Sequence, residues 1–107
     1  MITKSEFRDI IKEVALAYNV APHCLLGRRR FDSYVAARQA AMAITHRRCG
    51  SLTTTAALFN RHHGAVSHAI GALSHRVAAD KHAYKKWCQV RHLAVIPPPF
   101  NVADYQI

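Results

Sequence analysis

The chain has 107 residues, with 15 Lys and Arg against 6 Asp and Glu and a formal net charge of +9 when its eight histidines are neutral. That length suits one domain burying about two-thirds of its unfolded surface; no stretch nears the ~20 apolar residues of a membrane span, and Met1-Ile2-Thr3-Lys4-Ser5-Glu6 lacks a secretory h-region. Three widely spaced cysteines, Cys24, Cys49 and Cys88, fit reduced cytosolic thiols packed as small hydrophobes, whereas the basic excess points to a polyanionic partner, most often nucleic acid.

The first predicted helix has a complete start signal. Thr3 can cap it, Glu6 closes a capping box, and Ile2 and Phe7 occupy the positions of a hydrophobic staple. Phe7, Ile10, Ile11, Val14 and Tyr18 follow one face, and Asn19 marks the stop. Pro22 opens a short second helix to Leu26, which Gly27 ends. After the basic loop Arg28-Arg29-Arg30, Asp32 or Ser33 can cap a third helix reaching about His46. Val35, Gln39, Met42 and Ala43 form its stripe, and its alanines favour helix and close packing. Arg47, Arg48, Cys49 and Gly50 read as a break.

Ser51 caps a fourth helix, Leu52 to about Phe59, and a tight turn follows at Asn60-Arg61. Val66, Ala69, Ile70, Leu73 and Val77 give the fifth helix its apolar stripe, with His68 a candidate packed residue. Asp80 caps a sixth, with Tyr84, Trp87 and Cys88 facing inward. No segment alternates with period two, so the class is all-α. Pro97-Pro98-Pro99 ends regular structure. The division is therefore a domain over residues 1–93 and a proline-led tail over residues 94–107. Phe100, Val102, Tyr105 and Ile107 make the tail too apolar for a disordered appendage, so it either docks on its own domain or serves a partner.

A short helix, a tight turn and a second helix opened by Arg61-His62-His63 form the layout of a helix-turn-helix. In that motif the start of the second helix faces base edges in the major groove. Gly64 and Ala65 keep this end slim enough for close approach, and a helix N-terminus favours phosphate.

Longer stretches carry a resemblance. These are Leu25-Leu26-Gly27-Arg28-Arg29-Arg30, Ala37-Arg38-Gln39-Ala40-Ala41-Met42-Ala43-Ile44, Ser51-Leu52, Phe59-Asn60-Arg61-His62-His63 and Val66-Ser67-His68-Ala69. In order and spacing they resemble the C-terminal DNA-binding domain of the bacterial replication initiator DnaA, from about Glu6 to Val77. One residue is missing before Ser51 and one at the turn. The resemblance implies a Trp-repressor-like bundle of about six helices that binds duplex DNA.

Position by position, it implies that Arg28, Arg29 and Arg30 reach phosphates and the neighbouring minor groove. Arg38 and Gln39 match backbone-contacting residues, and Leu52 and Thr53 begin the helix that grips phosphate. Arg61, His62 and His63 match the recognition element. The family's pattern there is Arg-Asp-His-Thr-Thr, so His62 replaces Asp, and Gly64 and Ala65 replace the threonines that contact thymine methyls. Asp32 falls where the family has a minor-groove arginine. Fold and DNA binding transfer; the preference for the DnaA box does not.

Gly27, Gly50, Gly64 and Gly71 form no phosphate-binding loop of the kind an initiator ATPase requires. Recruitment or obstruction at a promoter is thus the expected task. Stand-alone modules of this type are similar to activators of prophage and gene-transfer-agent operons, working with a sigma-factor-like partner or RNA polymerase in the cytoplasm, at the nucleoid. The alternatives are replication control through DnaA-box-like sites, or a protein-binding adaptor. No cofactor is expected: His46, His62, His63, His68, His75, His82 and His92 sit beside Cys49 or Cys88 in no zinc-ligand spacing. Six scattered carboxylates, and Cys49 near His46 as the one suggestive pair, argue against an enzyme.

Overall fold

The computed structural model describes residues 2–94. Six α-helices follow in the order α1 (Lys4–Ala17), α2 (Pro22–Leu26), α3 (Asp32–Cys49), α4 (Leu52–Phe59), α5 (His63–Ala79) and α6 (Lys81–Val90), closed by a 3-10 turn over Arg91–Ala94. Among the described residues there is no strand. The tail residues Phe100, Val102, Tyr105 and Ile107 lie outside them.

Helix α1 starts as its sequence dictates. Thr3 Oγ1 accepts the Glu6 amide at 3.0 Å, and Glu6 Oε1 accepts the Thr3 amide at 3.1 Å. Ile10, Ile11, Val14, Ala15 and Tyr18 are buried, while Ile2 and Phe7 pack against the core from its edge. Asn19 takes the left-handed conformation at φ 58°, a role asparagine tolerates better than most residues. Lys86 on α6 donates to the Ala17 carbonyl and lies 5.6 Å from the Tyr18 ring centre, joining the two helices. Burial pushes the Tyr18 phenol up to about 12, with Arg76 opposing.

Helix α3 departs most from expectation. Ala37, Arg38, Gln39, Ala40, Ala41, Met42, Ile44 and Thr45 are all buried, so the helix is enclosed nearly all round instead of along one stripe. Its alanines make this possible, because their small side chains let α1, α2, α4 and α5 all approach it. Neither Asp32 nor Ser33 caps it. Phe31 holds the N-cap position without a side-chain bond, and Asp32 lies in the first turn, where its charge suits the helix dipole. The helix also runs past His46 to Cys49, so Arg47-Arg48 continues it and Gly50 ends it at φ 70°. Cationic side chains suit a helix C-terminus, and a distant tie holds the last turn. Arg48 donates to Glu6 Oε2 at 2.5 Å and to the Leu93 carbonyl at 3.1 Å.

Helix α4 forms despite three threonines. Ser51 Oγ accepts the Thr54 amide, and the buried Thr55 hydroxyl is paired by donating to the Ser51 carbonyl at 2.8 Å. Phe59 stacks edge-on against Phe7 with ring centres 5.2 Å apart. Helix α5 buries Val66, Ala69 and Leu73, as its stripe predicts. In α6, Asp80 caps through the His82 amide, but Tyr84 is 47 % exposed and Val90 is the buried residue. The inward seam passes through Ala83, Trp87 and Val90; Tyr84 stands one residue, or about 100°, off it.

Candidate nucleic-acid interface

The chain turns between α4 and α5 through Asn60, Arg61 and His62. Asn60 adopts φ 53°, and the Arg61 amide donates to the Ala56 carbonyl at 2.8 Å, closing the end of α4. His62 is the N-cap of α5: its Nδ1 accepts the Gly64 amide at 3.1 Å. The His62 and His63 rings lie 4.3 Å apart. A Cβ on residue 64 would meet His62 Nδ1 at 3.2 Å, tighter than nearly all real contacts, so the missing side chain lets the imidazole fold over the helix end. His62, His63, Gly64 and Ala65 are all exposed. The face they form is narrow, polar and aimed outward. A neutral His63 imidazole offers one donor and one acceptor to a base edge, whereas a neutral His62, its Nδ1 taken by the Gly64 amide, offers only the Nε2–H as a donor.

Arg61 lies in the expected tight turn with Asn60, and α5 opens at His63, after Arg61 and His62. The Arg61 guanidinium donates to the Gly27 carbonyl at the end of α2, tying the helix-turn-helix to the basic loop. His68 is exposed, not packed. At the start of α4, Leu52 and Thr53 are exposed, and the Ser51 cap takes only the Thr54 amide. The preceding Leu52 and Thr53 amides stand at the open end of the helix, where no helical carbonyl can reach them.

Arg28, Arg29 and Arg30 all expose their side chains. Their loop is held from beneath by Arg38, which is 7 % exposed. Arg38 Nε donates to the Leu25 carbonyl at 3.0 Å, and Nη2 donates to the carbonyls of Cys24 at 2.8 Å and Arg29 at 3.1 Å. Gln39 is likewise buried, its Oε1 accepting from Arg76 Nε at 3.3 Å. The polar ends of Arg38 and Gln39, expected at the DNA backbone, are thus engaged inside the fold. Arg38 shapes the loop that faces outward.

These arginines crowd one another. Burial, then Arg61 and Arg30, hold the Arg38 guanidinium below the ordinary arginine value. Burial, then Arg28 and Arg30, do the same to Arg61. Among the described residues the one ion pair, Arg48–Glu6, involves none of them. Among the described residues no carboxylate pairs with the cluster, and a phosphate would relieve the repulsion. Sequence reading found the residues but not the ties of Arg61 to Gly27 and Arg38 to Cys24, because carbonyl partners leave no trace in residue identity.

No group of three His, Cys, Asp or Glu among the described residues stands close enough to hold a metal ion, and none of the described helices is long and apolar enough to cross a membrane.

The model of the bacterial dnaA protein helix-turn-helix family matches residues 7–72, more than half of the chain, from the first core helix into the second half of α5. No curated protein and no solved structure matches the chain. The chain belongs to this helix-turn-helix family, and its partner is double-stranded DNA.

Proposed function

From that family membership, we propose that the protein is a sequence-specific transcription regulator that activates its promoter together with a protein of the transcription machinery, in the manner of prophage or gene-transfer-agent activators. The reading rests chiefly on the exposed end of α5. His62-His63-Gly64-Ala65 stands where the family presents Asp-His-Thr-Thr, so the methyl contacts that favour a DnaA box are gone and the His62 imidazole replaces the carboxylate beside them. A module with replaced base-reading groups and an exposed arginine loop for phosphate suits an operator of its own. The protein acts at the nucleoid, in the cytoplasm, and performs no catalytic step. Phe100, Val102, Tyr105 and Ile107, outside the described residues, belong to the partner contact in this reading.

Genome-wide immunoprecipitation of the bound DNA, followed by shift assays on the recovered sites, tests the proposal. Occupied promoters sharing a motif other than the DnaA box support it. Occupancy confined to origin-like DnaA boxes would replace it with replication control, and no DNA binding at low salt would overturn it.

A further inference from the structure

The arginine cluster and the end of α5 leave one large feature unused. A cleft of about 610 Å³ opens between α3, α5 and α6 and reaches the 3-10 turn. Ile70, Leu73, Val77 and Trp87 give it an apolar floor. Its rim carries Arg47, Arg91, His46 and His92, and no Asp or Glu lines it. Arg47 and Arg91 are exposed and have no carboxylate partner among the described residues. None of the residues on the DNA-facing surface lines the cleft. DNA is a poor occupant, since an apolar floor offers nothing to phosphates. A flat bilayer is also a poor fit for a concave site of a size that takes several inserted side chains.

We infer that this cleft is the docking site for an acidic amphipathic helix of a protein partner, whose apolar face fills the floor while its flanking carboxylates meet Arg47 and Arg91. Apolar anchors at helical spacing, seated in a groove, are a recurrent mode of peptide recognition. Charge complementarity selects the acidic flanks and raises the encounter rate. Ala94, the last described residue, also lines the cleft. The inference rests on the activator reading for its biological sense, but not for its test.

The chain has a single tryptophan, Trp87, which reports directly on the floor. The probe is a synthetic amphipathic helical peptide with leucines on one face and glutamates on its flanks, titrated into the full chain. A matched peptide with lysines in place of the glutamates is the control. Saturable blue-shifting of Trp87 emission by the acidic peptide alone is expected. Replacing both Arg47 and Arg91 with Gln should weaken that binding by about fivefold to tenfold, as two rim ion pairs imply, while the affinity for operator DNA stays within about twofold. Equal binding of both peptides, or none, overturns the inference. A shift caused by anionic vesicles but not by the peptide overturns it in favour of a membrane. So does a red shift in the free full chain on Phe100→Ser with Tyr105→Ser, which would make the chain's own segment the occupant. Concentration-dependent emission with dimer formation would make a second copy the occupant. Peptide binding by a protein that fails to bind DNA would sustain the cleft and remove the activator reading.

Discussion

The imidazole of His62 both starts α5 and stands on its exposed face, so its substitution separates folding from recognition. Removing the acceptor in His62→Ala leaves the Gly64 amide without its cap, a loss of about 0.5–1 kcal/mol for an exposed site. Denaturant melts should show that decrease with an unchanged slope. His62→Asp restores an oxygen acceptor and an anion at the helix N-terminus, both favourable. This variant should match or exceed the native stability, yet lose preference for the native operator, because a carboxylate only accepts where the imidazole Nε2–H donates. Equal loss of stability in both variants would remove His62 from the cap. Arg38 offers the converse separation. Its guanidinium serves the carbonyls of Cys24, Leu25 and Arg29 from a buried position. Arg38→Ala should therefore cost about 2–3 kcal/mol, the value of charge-assisted bonds, and lower DNA affinity by loosening the loop. Arg38→Lys should recover only part, since a point ammonium cannot bridge carbonyls as a planar fork does. A variant of native stability with a reduced salt slope would instead place Arg38 on a phosphate.

At the level of elements, the legible features are those whose partners lie within a turn. The Thr3–Glu6 box, the Ser51 and Asp80 caps and the Asn19 stop could all be read from local spacing. The length of α3 could not. Arg47-Arg48 before a glycine reads as a break, but Arg48 is secured by Glu6, 42 residues away along the chain. Enclosure of α3 was hidden for a related reason, because alanine is compatible with a surface or a crowded core and only neighbouring helices decide. Tyr84, expected to face inward, is exposed because Trp87 defines the inward face of α6 while an amphipathic aromatic can stand on either side. Glu6 then links elements through protonation. The Thr3 amide first, then the Thr3 hydroxyl and Arg48, hold its carboxyl below the ordinary value of 4.5 despite slight opposition from burial. A folded-state value below the unfolded one means that this stabilisation is complete above pH 4.5 and fades as pH falls through the lowered value. Glu6→Gln keeps an acceptor for Thr3 but loses the charge on Arg48. Its melting temperature should fall below the native one at neutral pH, with the gap closing in acid. A gap that persists unchanged to pH 3 would discount the ion pair, about 1.5 units below that carboxylate value.

The whole molecule divides its positive charge between two surfaces with different chemistry. On one, cationic side chains lie beside the polar end of α5; on the other, Arg47 and Arg91 border an apolar floor. The first arrangement suits phosphate, and Arg28, Arg29 and Arg30 are its most accessible members because Arg38 and Arg61 are occupied by carbonyls of the same region. Phosphate contacts position a protein and supply affinity without carrying sequence information directly. Replacing all three loop arginines with Ala should thus weaken binding to operator and scrambled DNA by similar factors. The slope of log affinity against log salt should become shallower by about 0.9 for each phosphate that is no longer neutralised. The loop backbone remains clamped by Arg38 through the Arg29 carbonyl, so circular dichroism and melting temperature should stay near native. This separates the triple variant from Arg38→Ala, in which stability falls first. Retained salt dependence in the triple variant would move the phosphate contacts elsewhere, to the amides of Leu52 and Thr53 or to the end of α5. Loss of operator preference with non-specific affinity intact would assign the loop to base reading, and the arginine tract would then be a minor-groove probe in place of an anchor.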